Sequence, residues 1–433
     1  MKTSWVTSAN DPASDFPLQN LPYGVFRHRE KTRIGVAIGD QILDLHACAE
    51  AGILSVLPEE IVEACRMDRL NLLMSLGSNA WSTLRREVMS LLDADGDERR
   101  RVEPHLIAMR EAAMQLPAQI GDYTDFYASI DHATRVGRIF RPEQPLLPNY
   151  KHVPIGYHGR ASSIVVSGEN IRRPCGQAKS PHAALPTFGP TAALDYEVEV
   201  GAFIGKGNPL GHSIPIAEAE RHIFGLCLVN DWSARDLQPW EYQPLGPFLA
   251  KSFATTISPW IVSLEALAPY RVAARPRTKD EPSPLPHLSS TRAHRDGIDL
   301  TVEAYLESAQ MRKQRREPML LSRGNLRELY WTLGQLVAHH TSNGCNLRPG
   351  DLLATGTVSG PDAGSEGCLL EKTHGGEPVR LPSGETRKFL EDGDRITLRG
   401  YAYRPGMPRI GFGECAGTIL KAVERVAGSK HAG

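Results

Sequence analysis

Residues 194–205 read LDYEVEVGAFIG, and few folds can accommodate that run. Side chains on a strand alternate between its two faces. Leu194, Tyr196, Val198 and Val200 then share one side, and Asp195, Glu197 and Glu199 share the other. Like charges in a row on one face repel unless water or a cation lies among them. A solvated outer face meets that condition as well as a metal does, because antiparallel sheets commonly expose one polar face. The segments around this strand have to decide between the two.

Composition narrows the classes. The chain has 433 residues, enough for two or three domains. Hydrophobic residues make up 41% and charged residues 23%, the balance of a globular protein with a sizeable core. A net charge of -1 gives no electrostatic reason to expect a nucleic-acid or anionic-membrane partner. The seven cysteines are odd in number and widely spaced, with no C-x-x-C pair, so neither a zinc finger nor a disulfide framework is expected. The first residues, MKTSWVTSANDPASDF, lack the apolar core of a signal peptide. No run of about 18 apolar residues suggests a membrane span. A reduced, cytoplasmic enzyme is the simplest expectation.

Residues 1–117 read as a small domain. RIGVAIGDQILDL (33–45) predicts a hairpin turning at Gly39-Asp40. Trp81, Leu84, Val88, Leu91 and Leu92 follow helical spacing, with Ser78 or Asn79 as the cap. DADGDERRR (93–101) reads as an exposed linker. After Gln119, Gly, Pro, Asp, His and aromatic residues crowd together, and short apolar runs such as 162–168 and 394–400 read as strands. A helix is predicted over 325–341 from the stripe Leu326, Leu329, Leu333, Leu336, Val337 and His340, with Gly344 as its stop. The Pro-rich stretch 269–288 reads as a surface excursion. Many short strands and few helices predict a mostly-β second domain over 118–433.

Five segments hold chemistry-bearing residues. Besides 194–205, the apolar run IFGLCLV (223–229) predicts a strand that delivers Asp231 to its rim. In a helical turn beyond it, Asp231, Arg235 and Gln238 would share one face, which an N-capping Asp with an Asp–Arg pair explains equally well. IGDYTDFYASIDHATRVGRIFRP (120–142) holds Asp125, Tyr127, His132 and Arg141. In LGPFLAKSFATTISPW (245–260) Lys251 is the only charge, and a buried Lys needs an anionic neighbour. RPGDLLATGTVSGPDAGSEGCLLE (348–371) has a turn at Gly356-Thr357 and a carboxylate, Glu371, that reads as a strand-end residue.

Taken together, NLPYGVF, DYTDFYASIDHAT, GYHGRASS, YEVEV, NDWSARDLQPWEYQPLGPFLAKSF and NGCNLRPGDLLATGTVSG occur in order, and the chain resembles the fumarylacetoacetate hydrolase family along most of its length. E-x-E followed by a distant Asp is shared across the wider superfamily. The long NDWSARD run, GYHGRASS and the separate N-terminal part resemble its two-domain branch. The resemblance implies an α+β, mostly-β fold: an SH3-like barrel over 1–117, then a mixed β-roll catalytic domain over 118–433. It implies Asp125, Glu197, Glu199 and Asp231 as metal carboxylates for Mg²⁺ or Ca²⁺, with Lys251 and Thr255 around the metal. His132 matches the catalytic base and Glu371 its orienting carboxylate. Arg235, Gln238 and Lys251 match transition-state donors; Tyr127, Arg141, Tyr157, Gln238, Tyr242 and Thr357 match substrate contacts. Asp195 matches no ligand and takes the solvated reading. Two departures are Ala254 where the family has Gly, and Arg135 where a smaller polar residue is usual. The implied activity is hydrolysis of 4-fumarylacetoacetate to fumarate and acetoacetate, the last step of tyrosine and phenylalanine degradation, by a homodimer.

Elementary chemistry agrees with those roles. Splitting a β-diketone with water needs an activated water, a stabilised oxyanion and a sink for the leaving carbanion. A His held by a carboxylate supplies the first. An all-oxygen site suits a hard divalent cation, whose Lewis acidity would stabilise the leaving enolate. Relatives with the same carboxylates act as acylpyruvate hydrolases, decarboxylases, isomerases or hydratases, and a binding protein that keeps only the fold is the alternative outside enzymes. His339 and His340 sit at a helix end and read as core or capping residues.

Overall fold

A computed structural model describes residues 2–373 and 376–423; residues 424–433, the end of the expected second domain, lie outside the described residues. The hairpin forms as read: Lys31–Ile38 and Gln41–Asp44 pair antiparallel, with Gly39 at φ 58 in the turn. A five-stranded sheet grows from it in the order Leu106–Ala108, Gln41–Asp44, Lys31–Ile38, Tyr23–His28, Ala113–Gln115. Helices between residues 45 and 92 pack beside that sheet, so the chain mixes helix and sheet and is less purely β than its sequence suggests. Helix Ser78–Leu92 buries Trp81, Leu84, Val88, Leu91 and Leu92. Its cap is Gly77 rather than Ser78 or Asn79, both of which already lie in the first turn. Residues 93–101 are not a linker either. Asp93 is buried and bridges to Ser4, and the chain beyond still adds strands at both edges of this sheet.

The second sheet has seven strands, ordered Gly156–Gly159, Tyr123–Phe126, Leu352–Ala354, Val198–Ile204, Ile223–Asp231, Thr255–Ile257, Ile164–Val166. Gly201 permits its close pairing, since a Cβ there would meet Val229 Cγ2 at 2.7 Å and Leu352 Cδ1 at 2.8 Å. A five-stranded sheet running Met319–Asn325, Thr301–Glu307, Arg395–Ala402, Ile410–Leu420, Ile171–Arg172 shares an apolar core with it, including Val198, Val200, Leu226, Leu228, Val302 and Leu398.

The other core is shared with the N-terminal sheet. Val25, Ile34 and Leu84 belong to the same cluster as Phe203, Phe224 and Val229. Tyr23 and Ile261 exchange backbone hydrogen bonds of 3.0 and 2.7 Å. The Phe224 ring stands edge-on to Trp81 with centroids 5.2 Å apart. Fully burying a Phe contributes roughly 1.5–3 kcal/mol, so this seam is a true core.

The expected helix over 325–341 divides in two. Asn325 accepts from Arg327 N–H and opens only a short turn, Leu326–Glu328. The helix proper is Leu333–Thr341, started by a capping box between Thr332 and Gln335. Leu326 and Leu329 are buried from turn and loop, which mimicked a helical stripe. Among the described residues, no helix is long and apolar enough to cross a membrane.

Candidate active site

The acidic run is not one strand with a wet face. Leu194–Asp195 pairs with Ser233–Ala234, and a separate strand, Val198–Ile204, then enters the seven-stranded sheet. Every residue from 194 to 204 is buried. Asp195 and Glu199 are 0% exposed and Glu197 5%, so the solvated reading of Asp195 is overturned.

Two other strands bring the remaining acidic groups. Asp125 lies on Tyr123–Phe126 opposite Tyr157. Asp231 ends Ile223–Asp231 opposite Thr255. The strands of Asp125 and Asp231 are three places apart in the sheet, about 14 Å if it were flat. Yet Asp125, Glu197, Glu199 and Asp231 offer oxygens within 4.8 Å of one another. The sheet therefore curls, and the carboxylates converge inside the curl.

Asp125 Oδ1 and both Glu199 oxygens are buried with no hydrogen-bond partner. Leaving ionised carboxylates in that state costs several kcal/mol each. Burial, and then Asp231, pushes the Asp125 carboxyl well above the carboxylate range. Burial, and then Asp125 and Asp231, does the same to Glu199, and burial outweighs Lys251 in raising Asp231. Glu197 goes the other way: burial raises it, but Lys251 and Arg235 outweigh burial and hold it below the usual range. Oxygen-only donors with unused lone pairs fit a hard divalent cation. Lys251 is not one of the donors. Its Nζ donates to Glu197 Oε2 at 2.6 Å and Asp231 Oδ2 at 2.7 Å; burial lowers its ammonium, but Asp231 and Glu197 outweigh that and hold it protonated, without a lone pair to give. Thr255 Oγ1 donates to Asp231 Oδ1 at 3.2 Å.

Beside the acids stands a finished pair. Ser129 caps helix Ile130–Phe140 and fixes His132 in its first turn. His132 Nδ1–H donates to Glu371 Oε1 at 2.6 Å. Glu371 sits on a short helix, Leu369–Lys372, and not at a strand end. It is fully buried and also accepts from Ser359 Oγ at 2.8 Å and Arg135 Nη1 at 3.3 Å. Burial raises its carboxyl, but His132, Ser359 and Arg135 outweigh that and hold it low. The unusual Arg135 thus braces the orienting carboxylate. With Nδ1 engaged, His132 offers Nε2 to the site.

Arg235 does not pair with Asp231 along a helix. The chain stays extended through Ser233–Ala234, and helix begins only at Gln238. Arg235 Nε instead donates to Asp195 Oδ2 at 2.9 Å. Its Nη2 lies 2.8 Å from Glu197 Oε1, out of line for a hydrogen bond, and is a buried donor without an acceptor.

The expected substrate contacts divide. The Tyr127 ring meets the His132 ring edge-on at 5.2 Å. Arg141 Nε and Thr357 Oγ1 are buried polar atoms with no partner. Gly356 shapes the turn before Thr357: its φ is 74, and a Cβ would strike Phe126 O at 2.1 Å. Tyr157 O–H donates to Asp231 Oδ2 at 3.0 Å. Gln238 is half-buried and Tyr242 exposed, and neither bonds to the acids or to the His132 pair. A separate cavity of about 380 Å³, walled partly by Trp81, Phe224 and Arg271, is lined by none of these residues; its Arg271 is spent on Glu220 at 2.7 and 3.0 Å.

Known proteins resemble this chain along most of its length. Residues 123–420 match the model of the fumarylacetoacetate hydrolase C-terminal family, and 19–117 that of the fumarylacetoacetase N-terminal family. The chain is 47% identical to the human fumarylacetoacetase over 97% of this chain and 99% of that one. It is 49% identical to that of Caenorhabditis elegans over 94% and 97%, and 46% identical to that of Oryza sativa subsp. japonica over 95% and 96%. A solved fumarylacetoacetate hydrolase from psychrophilic Exiguobacterium antarcticum superposes with a TM-score of 0.52 at 18% identity, over 93% of this chain and 100% of that one, and so shares the fold. On these matches, the chain belongs to the fumarylacetoacetate hydrolase family.

Proposed function

We propose that this chain hydrolyses 4-fumarylacetoacetate to fumarate and acetoacetate, closing tyrosine and phenylalanine degradation. The observation that carries this reading is the meeting of two buried groups, carboxylates with unused oxygens and a complete His132–Glu371 pair. His132 Nε2 takes a proton from water, and the hydroxide adds to the carbonyl carbon beside the scissile bond. Arg235 and Lys251 donate where negative charge gathers on oxygen; a donor in such a role is worth about 3–4 kcal/mol. The carbon–carbon bond then breaks, its electron pair stays with the acetoacetate half, and His132 returns the proton there. Asp125, Glu197, Glu199 and Asp231 would hold Mg²⁺ or Ca²⁺, which when bound supplies Lewis acidity to the diketone oxygens. Arg141, Tyr127, Tyr157, Thr357, Gln238 and Tyr242 bind and orient the substrate, the first through its carboxylate.

Residues 1–117 and 118–433 act as two units, supported by the separate family matches. The strand order of the first, with Ala113–Gln115 returning beside Tyr23–His28, supports an SH3-like barrel. A cytoplasmic homodimer is the working form; the free thiols of all seven cysteines are compatible with that compartment. Loss of fumarylacetoacetate, followed with and without a chelator, tests the activity. Rapid turnover of acylpyruvates in place of fumarylacetoacetate would overturn it in favour of another reaction of this family.

A further inference from the structure

Asp195 stands in the same D-x-E-x-E run as two candidate cation ligands, and its hydrogen bonds explain why it is not a third. A carboxylate offers about four lone-pair sites. Asp195 Oδ1 accepts from Tyr196 N at 2.9 Å and Leu369 N at 2.8 Å. Its Oδ2 accepts from Leu370 N at 3.0 Å and Arg235 Nε at 2.9 Å. Four donors fill it, and the group is 0% exposed. These donors come from three separate parts of the chain. Leu369 and Leu370 directly precede Glu371, which holds His132 at 2.6 Å. Arg235 carries the unused Nη2 donor beside Glu197.

We propose that Asp195 is a positioning residue: through one carboxylate it fixes the Arg235 guanidinium and the Glu371-bearing turn in a common frame. The proposal rests on the hydrolytic reading above. Water activation and oxyanion stabilisation must meet at one carbonyl carbon, so the distance between His132 and Arg235 has to be set by something rigid. An Asn here keeps size but loses the charge, and its NH₂ would face N–H donors on one side. A misplacement on the order of 1 Å costs about 100-fold in rate.

The test is Asp195→Asn in the full chain, with the parent run alongside. Three quantities are read: kcat and KM for fumarylacetoacetate, Mg²⁺ affinity by calorimetry, and the low-field proton resonance of His132 Nδ1–H without substrate. The proposal expects kcat to fall about 100-fold with KM within about threefold. Mg²⁺ affinity should hold, and the low-field resonance should shift or vanish. An unchanged kcat, or a loss of Mg²⁺ binding in step with kcat, overturns the proposal. If Asp195→Asn lacks a native thermal transition, Asp195→Glu, which keeps the charge but moves it, is read on the same quantities. Failure of both to fold makes Asp195 a core residue and overturns the proposal too. A parent that binds Mg²⁺ but leaves fumarylacetoacetate intact overturns the assigned activity alone, and the resonance then decides the role of Asp195.

Discussion

The acidic quartet and the His132–Glu371 pair are neighbours built from the same kinds of side chain, and the fold treats them in opposite ways. Glu371 is buried with donors from His132, Ser359 and Arg135 on its oxygens. Glu199 is buried just as deeply with no donor on either oxygen. One carboxylate is completed by the chain itself, and the other keeps oxygens that the chain leaves unbonded, as a cation ligand would. The difference separates a device that has to be rigid before substrate arrives from one whose stability depends on its ligand.

That contrast predicts a clean split between variants. His132→Ala should lower kcat by about 10²–10⁴-fold, the usual worth of a general base, and leave Mg²⁺ binding intact by calorimetry. A simultaneous loss of cation would mean that the two groups are not separate. Glu199→Gln should do the reverse to binding. Cation affinity drops beyond detection, while the cation-free protein, at a pH where Glu199 is ionised, gains roughly 1–3 kcal/mol in denaturant unfolding, because a like charge has left a buried cluster.

A smaller effect follows from pH. Burial and mutual repulsion raise Asp125, Glu199 and Asp231 in the cation-free protein. A carboxyl raised above its unfolded value stabilises the fold at pH below that value, and the contribution is lost as pH climbs through the folded one. Cation-free protein should therefore lose thermal stability as pH rises through the range where these groups ionise. Cation uptake must release protons, so affinity should increase over the same range. Calorimetry in buffers of different ionisation enthalpy counts the protons, and a count of zero contradicts the shifts. Glu371 has the opposite sign. Its lowered carboxyl contributes stability above the unfolded carboxyl value that is lost as pH falls through the folded one. The smallest change is expected from Arg135→Ala, about two- to fivefold in kcat, since this partly exposed arginine is worth about 0.5–1 kcal/mol to its partner.

What could be read from sequence follows the reach of each interaction. The hairpin at Gly39-Asp40 and the apolar strand over 223–229 are local patterns; both form, the strand running on to Asp231 itself. The convergence of Asp125 with Asp231 was legible only through family resemblance, because nothing in a strand's alternation says how far a sheet curls. Asp195 escapes a reading from sequence for a related reason. Alternation puts it beside Glu197 and Glu199, and what sets it apart is Leu369, 174 residues away. Its i, i+4 spacing from Asp231 puts Arg235 on a helix, yet its partner comes from another strand. The helix start at Leu333 had a readable sign, the Thr332–Gln335 box, which the longer leucine stripe outweighed.

The seam around Phe224 bears on how this chain can change over generations. Two family models meet near residue 120, as if the halves were exchangeable parts. Trp81 and Tyr23 from one half, with Phe203, Phe224 and Val229 from the other, belong to a single apolar cluster. A catalytic half with a foreign partner would present that surface to water and invite aggregation. The boundary that divides the chain on paper is therefore a poor site for recombination, and substitutions on either side of it must be accepted in compensating pairs.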